Sequence, residues 1–197
     1  DTVTTLGKKD KIPYDLPQIK DFFDVVFHTH TEDENIITWS QDSNTPRLPR
    51  ILHKRIDRID RTRLAKACYF GTSTVINHPD DGKLYNRKEV FKRLHVVVLD
   101  DIGTKVKETD LPKDLVPNYI IETSAGNFQW GFILDKPIED LALAEALIHL
   151  VYTSGYCDEG GKMPTKVVRM PCGINGKKGD KGDFKVKLIE LNADYWT

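Results

Sequence analysis

The feature of this sequence that most restricts its fold is the segment "HVVVLDDIG" at residues 95–103. Four consecutive apolar residues precede Asp100 and Asp101, and Gly103 follows shortly after. A short apolar run that does not alternate with polar residues is typical of a strand covered on both faces. We therefore predict a central strand that ends at the two carboxylates, with further layers of structure packed on each side.

The rest of the chain offers a mixture of strands and helices for those layers. Strand-like segments, two of them containing a turn, lie at 21–31, 34–40, 67–76, 120–134 and 165–191, and helical spacing lies at 50–67 and 138–155. These elements do not alternate as βαβ units, which favours the α+β class over a doubly wound fold. We expect a surface arm at residues 1–20 and one compact domain at 21–197.

Composition narrows the classes of partner. The chain has 197 residues, 39% hydrophobic and 30% charged, with a formal net charge of −1, so overall charge does not indicate a nucleic-acid partner. Basic residues nevertheless cluster at 50–66, and this run is either a solvated face or a surface for a phosphate backbone. The cysteines lack CxxC spacing, which favours a reducing compartment, and no apolar stretch is long enough to predict a membrane partner.

Asp100 and Asp101 are the first candidates for chemistry. Two adjacent carboxylates at the end of a buried strand are costly unless a cation or several N–H donors neutralise them. Hard oxygen ligands in this position suit Mg²⁺ or Mn²⁺, which often bridge to a substrate phosphate. The alternative is a turn in which the aspartates bond their own backbone.

The segment "IIETSAGNFQWGFIL", residues 120–134, predicts a hairpin with a turn at Gly126 and Asn127. Its arms carry Ser124, Asn127 and Gln129, which are either solvated or turned toward a ligand. Trp130 follows Gln129 directly, so it should point to the opposite face and pack in the core.

A second glycine-rich turn, "VVRMPCGINGKKG", contains Arg169, Asn175 and Lys177. An arginine leaving a strand offers paired donors to a phosphate, and backbone N–H groups in such turns can cradle anions. The alternative is an ordinary hairpin with an exposed lysine. Asp158 follows the helical segment and would attract no attention alone.

Taken in order, these motifs resemble those of the archaeo-eukaryotic primase superfamily, especially the primase-polymerase domains of plasmid and phage replication proteins. The resemblance covers about residues 65–180. It implies that Asp100, Asp101 and Asp158 are catalytic metal ligands for Mg²⁺ or Mn²⁺. It also implies nucleotide binding by a set that comprises Ser124, Asn127, Gln129, Arg169, Asn175, Lys177 and Lys105.

The resemblance implies an RRM-like antiparallel catalytic sheet, with nucleotidyl transfer on a single-stranded DNA template as the activity. Nucleoside triphosphates would be the substrates, Arg55, Arg58 and Arg61 would bind DNA, and a helicase domain or partner would accompany the domain in the host cytoplasm. Two departures stand out. The carboxylates are adjacent rather than separated by one residue, so both reach one metal only if the strand ends or bulges at Asp101. Gln129 replaces the usual histidine of the hairpin motif.

Two other functions fit parts of the sequence. His28 and His30 form an H-x-H at the end of a predicted strand, and such a pair binds metal in rolling-circle nickases, for which Tyr152 would be the nucleophile. The other alternative is a non-catalytic nucleic-acid-binding module related to primases.

Overall fold

The computed structural model describes residues 16–41, 67–157, 162–176 and 183–194. Within these ranges the chain forms two α-helices and eight strands, which confirms the α+β class. The helices are α1 (Leu16–Val26) and α2 (Leu141–Thr153), and the strands are β1 (Asn35–Gln41), β2 (Ala67–Val75), β3 (Phe91–Ile102), β4 (Tyr119–Ser124), β5 (Asn127–Ile138), β6 (Val167–Asn175), β7 (Phe184–Lys185) and β8 (Lys187–Leu191). A short 3₁₀ turn, Lys88–Val90, leads directly into β3.

Strand β3 is the central strand that the sequence predicts. It pairs with β5 from Leu94 to Ile102 and with β2 near its start, and both pairings are antiparallel. Val96 and Val98 belong to an inner core cluster, whereas Leu99 belongs to an outer cluster that includes Ile148 of α2. The non-alternating apolar run therefore reflects burial of both faces.

The sheet closes on itself through the last strand segment. Its hydrogen-bonded order is β7-β6-β2-β3-β5-β4-β8, with β1 added at β2. Only Val186 separates β7 from β8, and these two pair with β6 and β4 respectively. The chain at 184–191 thus joins the two ends of the sheet, and β6 is brought close to β4 and β5 around the inner core.

Helix α1 corrects the prediction of a strand at 21–31. Ile19, Phe22, Phe23 and Val26 recur at helical spacing and are almost fully buried, so the apolar stripe covers the inner core. Because residues 16–20 form the first part of this helix, they are not a surface arm. The β-branched and aromatic residues of this run favour a strand, but their helical period places the apolar side chains against the core and decides the structure.

Several predictions fall outside the described residues: the arm at 1–15, the helix over 50–66 with Arg55, Arg58 and Arg61, and the residues Asp158 and Lys177. The strands at β1 and β2, the hairpin and helix α2 are confirmed. The hairpin turn is formed by Ala125 and Gly126 rather than by Gly126 and Asn127, because Ser124 pairs with Asn127. Neither described helix has the length and apolar character needed to cross a membrane.

Candidate active site

The two aspartates lie at a bulge in β3. The β3–β5 register shifts between Leu99 and Ile102, and Asp101 has a φ of +62°, which is rare for a residue other than glycine. This irregularity is the condition under which adjacent carboxylates can face the same side, because a regular strand would send them to opposite faces.

Hydrogen bonds hold the carboxylate of Asp101 in place. Its Oδ1 accepts from Nδ2 of Asn127 at 2.9 Å, and its Oδ2 lies 2.8 Å from the ammonium nitrogen of Lys105. The main-chain N–H of Asp101 donates to Oδ1 of Asp100 at 3.0 Å. Two residues predicted to bind nucleotide, Asn127 and Lys105, therefore contact Asp101, one of the predicted metal ligands.

A close contact between two turns brings the hairpin to the end of β3. Gly103 has a φ of +88°, and a Cβ built on it would lie 2.5 Å from the carbonyl oxygen of Gly126. Any larger residue at 103 would push the turns apart. Thr104 adds a hydrogen bond from its hydroxyl to Oδ1 of Asn127 at 2.8 Å. Sequence reasoning did not identify Gly103 or Thr104 as parts of the site.

Arg169 of β6 forms the second part of the site. Its guanidinium carbon lies 4.6 Å from the centroid of the Tyr69 ring, and Nη2 donates to Oδ1 of Asn175 at 2.9 Å. Among the described residues, Nη1 of Arg169 has no hydrogen-bond partner, although the residue is only 9% exposed. A buried guanidinium nitrogen without an acceptor is costly, so this nitrogen suits an anionic ligand.

Burial shifts the pKa values of two residues of the site, Arg169 and Tyr119. Burial lowers the pKa of Arg169, whereas Tyr69, Cys68 and the charge of Asp100 act in the opposite direction. Burial also raises the pKa of the Tyr119 hydroxyl far above its usual range, and the charge of Asp100 adds to this effect. Asp100 therefore acts electrostatically on both Arg169 and Tyr119.

Gln129 and Asn175 tie β6 to the hairpin. Nε2 of Gln129 donates to the carbonyl oxygen of Arg169 at 3.1 Å, and Oε1 accepts from the Arg169 N–H at 3.0 Å. Nδ2 of Asn175 donates to the carbonyl oxygen of Thr123 at 2.7 Å. Gln129 is fully buried, so it does not present its amide to a nucleotide in this conformation, contrary to the prediction.

The sequence also makes predictions for two other hairpin residues, Trp130 and Ser124. Trp130 packs in the outer core cluster, as predicted from its neighbouring position. Ser124 is half-buried beside the turn, where a ligand can still reach it. Tyr69 and Tyr119 were missed, since nothing in the sequence indicates that Tyr69 pairs with Arg169 across two strands or that the Tyr119 ring covers Gly131.

The donor set at the end of β3 fits a hard divalent cation. Asp100 and Asp101 offer carboxylate oxygens at a bulge, and the Lys105 ammonium already holds a positive charge against one of them. Within the described ranges, no group of three His, Cys, Asp or Glu side chains is arranged to hold a metal ion. The proposed third ligand, Asp158, lies outside those ranges.

The geometry opposes the nickase alternative. His28 and His30 follow helix α1 rather than a strand, and Nε2 of His30 lies 3.1 Å from the main-chain oxygen of Glu34. Tyr152, the candidate nucleophile, is buried on α2, where its hydroxyl donates to the carbonyl oxygen of Val98 at 2.9 Å.

No protein-family model and no curated protein matches the sequence. Among solved structures, the primase-polymerase domain of cyanophage S-2L aligns over 92% of this chain and 93% of its own, with a TM-score of 0.59 and 10% identity. The catalytic domain of primase RepB′ in complex with initiator DNA aligns over 92% and 87%, with a TM-score of 0.58 and 17% identity.

A longer RepB′ structure aligns with a TM-score of 0.61 at 14% identity, and the chain spans only 58% of it. These likenesses establish the fold: the chain has an archaeo-eukaryotic primase-like fold. The solved structures named above that share this fold are a primase-polymerase domain of a cyanophage and the primase RepB′.

Proposed function

We propose that this domain is a primase-polymerase, a nucleotidyltransferase that makes or extends primers on single-stranded DNA. The observation that carries the proposal is the bulged carboxylate pair at the end of β3, together with a buried arginine on β6 whose Nη1 has no acceptor among the described residues. Negative oxygen ligands for a metal and a buried cation for phosphate are the two groups that nucleotidyl transfer requires.

Each part of the site then has a role. Arg169 holds phosphate oxygens of the incoming triphosphate through Nη1, which has no hydrogen-bond partner among the described residues. Lys105 exchanges its contact with Asp101 for a phosphate oxygen, with Lys177 as a further phosphate ligand. Asn127 keeps the Asp101 carboxylate oriented, and Ser124 lies beside the turn, within reach of the substrate.

Asp100, Asp101 and Asp158 would hold Mg²⁺ or Mn²⁺. When bound, such an ion activates the primer 3′-hydroxyl and neutralises charge on the leaving pyrophosphate. The two described carboxylates would be drawn together by the cation, which relieves their mutual repulsion.

The test is nucleotide incorporation on single-stranded DNA, with and without a primer, in the presence of Mg²⁺ or Mn²⁺. We expect Asp100→Asn to reduce the rate by at least about a hundredfold, because a metal contributes several kcal/mol to the transition state. Asp114→Asn, which changes an exposed aspartate, is the matched control and should retain the wild-type rate. A wild-type domain that binds template but incorporates no nucleotide would instead favour the non-catalytic module.

Template binding is tested by salt. If the basic run at 50–66 contacts the DNA backbone, the logarithm of the affinity should fall by about 0.7 per contacted phosphate for each log unit of salt. Replacing Arg55, Arg58 and Arg61 with Gln should flatten this slope by about 2. An unchanged slope would assign the run to a solvated face.

A domain of this kind, if encoded by a phage or plasmid, would act in the bacterial cytoplasm beside a helicase.

A further inference from the structure

We infer that Gln129 is a positioning residue that acts on the nucleotide only through Arg169. The inference rests on the proposed function, because it assigns a role within the same site. The sequence motif implies a direct contact between Gln129 and the nucleotide. In this arrangement, Gln129 instead contacts Arg169, and Arg169 contacts the nucleotide.

The Gln129 amide takes the place of a neighbouring strand. It accepts from the N–H of Arg169 and donates to its carbonyl, at 3.0 and 3.1 Å, which is the pattern that a paired strand would supply. On its other edge, Arg169 pairs with Tyr69 of β2. The main chain of β6 is thus fixed on both edges at the residue that carries the guanidinium.

Asn175 completes the arrangement at the level of the side chain. It accepts from Nη2 of Arg169 and donates to the carbonyl oxygen of Thr123 in β4. With its backbone held by Gln129 and one guanidinium nitrogen held by Asn175, Arg169 keeps Nη1 as a buried donor that has no acceptor among the described residues. A phosphate oxygen is the kind of acceptor that such a donor binds most strongly.

Burial argues against a direct contact between Gln129 and a ligand. The residue is 0% exposed, and both polar atoms of its amide are engaged with Arg169. To reach a nucleotide, it would have to abandon two hydrogen bonds and leave the Arg169 main-chain groups buried and unpaired.

A double-mutant cycle tests the inference. The dissociation constant of a nucleoside triphosphate would be measured calorimetrically with Mn²⁺ for wild type, Gln129→Ala, Arg169→Lys and the double variant. We expect Gln129→Ala alone to weaken binding about tenfold or more. In the Arg169→Lys background, the same change should weaken binding by less than about twofold, because the route through the guanidinium is already lost.

Asn118→Ala serves as the matched control for stability. Asn118, which directly precedes β4, is a buried amide that accepts from the main-chain N–H of Ile133 of β5 at 2.7 Å. This variant should lower the melting temperature without changing triphosphate binding. If Gln129→Ala does not fold, Gln129→Glu, which keeps the size and the acceptor but loses the donor, enters the same cycle.

Equal losses of affinity in both backgrounds would overturn the inference, since they would indicate a direct contact with the nucleotide. Unchanged binding in Gln129→Ala, together with a lowered melting temperature, would overturn it as well, because Gln129 would then be structural only. A wild-type domain that binds no triphosphate and incorporates no nucleotide would overturn the proposed function, and the inference with it. If the wild-type domain binds triphosphate and the loss of affinity in the double variant equals the sum of the losses in the two single variants, the inference would be overturned and the proposed function would stand.

Discussion

The two ends of strand β3 both carry charged residues, and they differ in how completely those charges are satisfied. Near its start, Arg93 and His95 face Glu34 in the interior. Near its end, Asp100 and Asp101 lie at a bulge that is partly open to solvent. We refer to these as the closed end and the open end.

At the closed end, the carboxylate of Glu34 is enclosed by donors. Arg93 binds both of its oxygens, with Nε at 3.1 Å from Oε2, and Thr74 donates to Oε2. Thr31 donates to Oε1 from its main-chain N–H at 2.8 Å. Burial alone would raise the pKa of Glu34, but His95, Arg93 and Thr74 outweigh it and hold the pKa well below its usual range.

The difference lies in which groups supply the counter-charges at each end. At the closed end, donors of the protein itself neutralise the buried carboxylate of Glu34, although Nδ1 of His95 has no hydrogen-bond partner among the described residues. At the open end, the exposed Lys105 supplies the neutralising charge, and Nη1 of the buried Arg169 has no acceptor within the part of the chain that the structure describes. Polar groups left incomplete in this way are the ones that a ligand can complete.

The largest expected effect would come from removing the carboxylate of Glu34 at the closed end. Glu34→Ala leaves Arg93, whose side chain is only 12% exposed, without its carboxylate partner, and we expect the free energy of unfolding to fall by about 3–5 kcal/mol. Urea titration measures this, with the exposed neighbour Glu32→Ala as the control. Nucleotide incorporation per folded molecule should be unchanged, and a specific loss of that activity would mean that the two ends are coupled.

Removing the carboxylate at the open end should have the opposite effect on stability. Without metal, Asp100→Ala should keep or raise the melting temperature, because repulsion between adjacent carboxylates is relieved. Wild type should gain about 2.7 kcal/mol of stability at a Mn²⁺ concentration one hundred times the dissociation constant, and the variant should gain none. An equal rise in melting temperature for both proteins would show that the ion binds elsewhere.

Acid should weaken the closed end first through His95. Burial lowers the pKa of His95, although Glu34 raises it, so the unfolded chain takes up a proton below about pH 6.5 that the folded chain does not. Stability should therefore fall as the pH drops below that value, by up to about 1.4 kcal/mol per pH unit. The loss from Glu34 should begin only below about pH 4.5.

Urea titrations between pH 7 and 5 measure this dependence, and His95→Gln should flatten it. A profile that the substitution leaves unaltered would mean that other groups control the acid response.

The smallest expected effect comes from replacing Lys105, the positively charged side chain at the open end. Lys105 is 61% exposed, so its ion pair with Asp101 contributes only about 0–1 kcal/mol to stability. Lys105→Met should tighten Mn²⁺ binding up to a few-fold, because a competing positive charge is removed, while raising the KM for nucleotide. Calorimetry and steady-state kinetics measure the two quantities, and a change of both in the same direction would contradict the assigned exchange of partners.

Sequence patterns predicted the parts of this fold that depend on local order. The apolar run before Asp100, the hairpin and the stop of α2 at Gly155 each follow from short-range rules of burial, turns and helix ends. The same rules failed at 21–31, where β-branched and aromatic residues suggested a strand but a helical stripe faces the core. Composition describes a segment alone, whereas the period of its apolar residues describes what it packs against.

By itself, the sequence determined that a buried strand ends in two carboxylates, that a polar hairpin follows, and that an arginine leaves a later strand. Only the tertiary structure decided which of these groups meet. Gln129 and Arg169 are 40 residues apart, and they pair because the last strand segment closes the sheet and brings β6 beside β5. Contacts of this kind depend on strand register and closure, which many distant residues set together, so no local pattern encodes them.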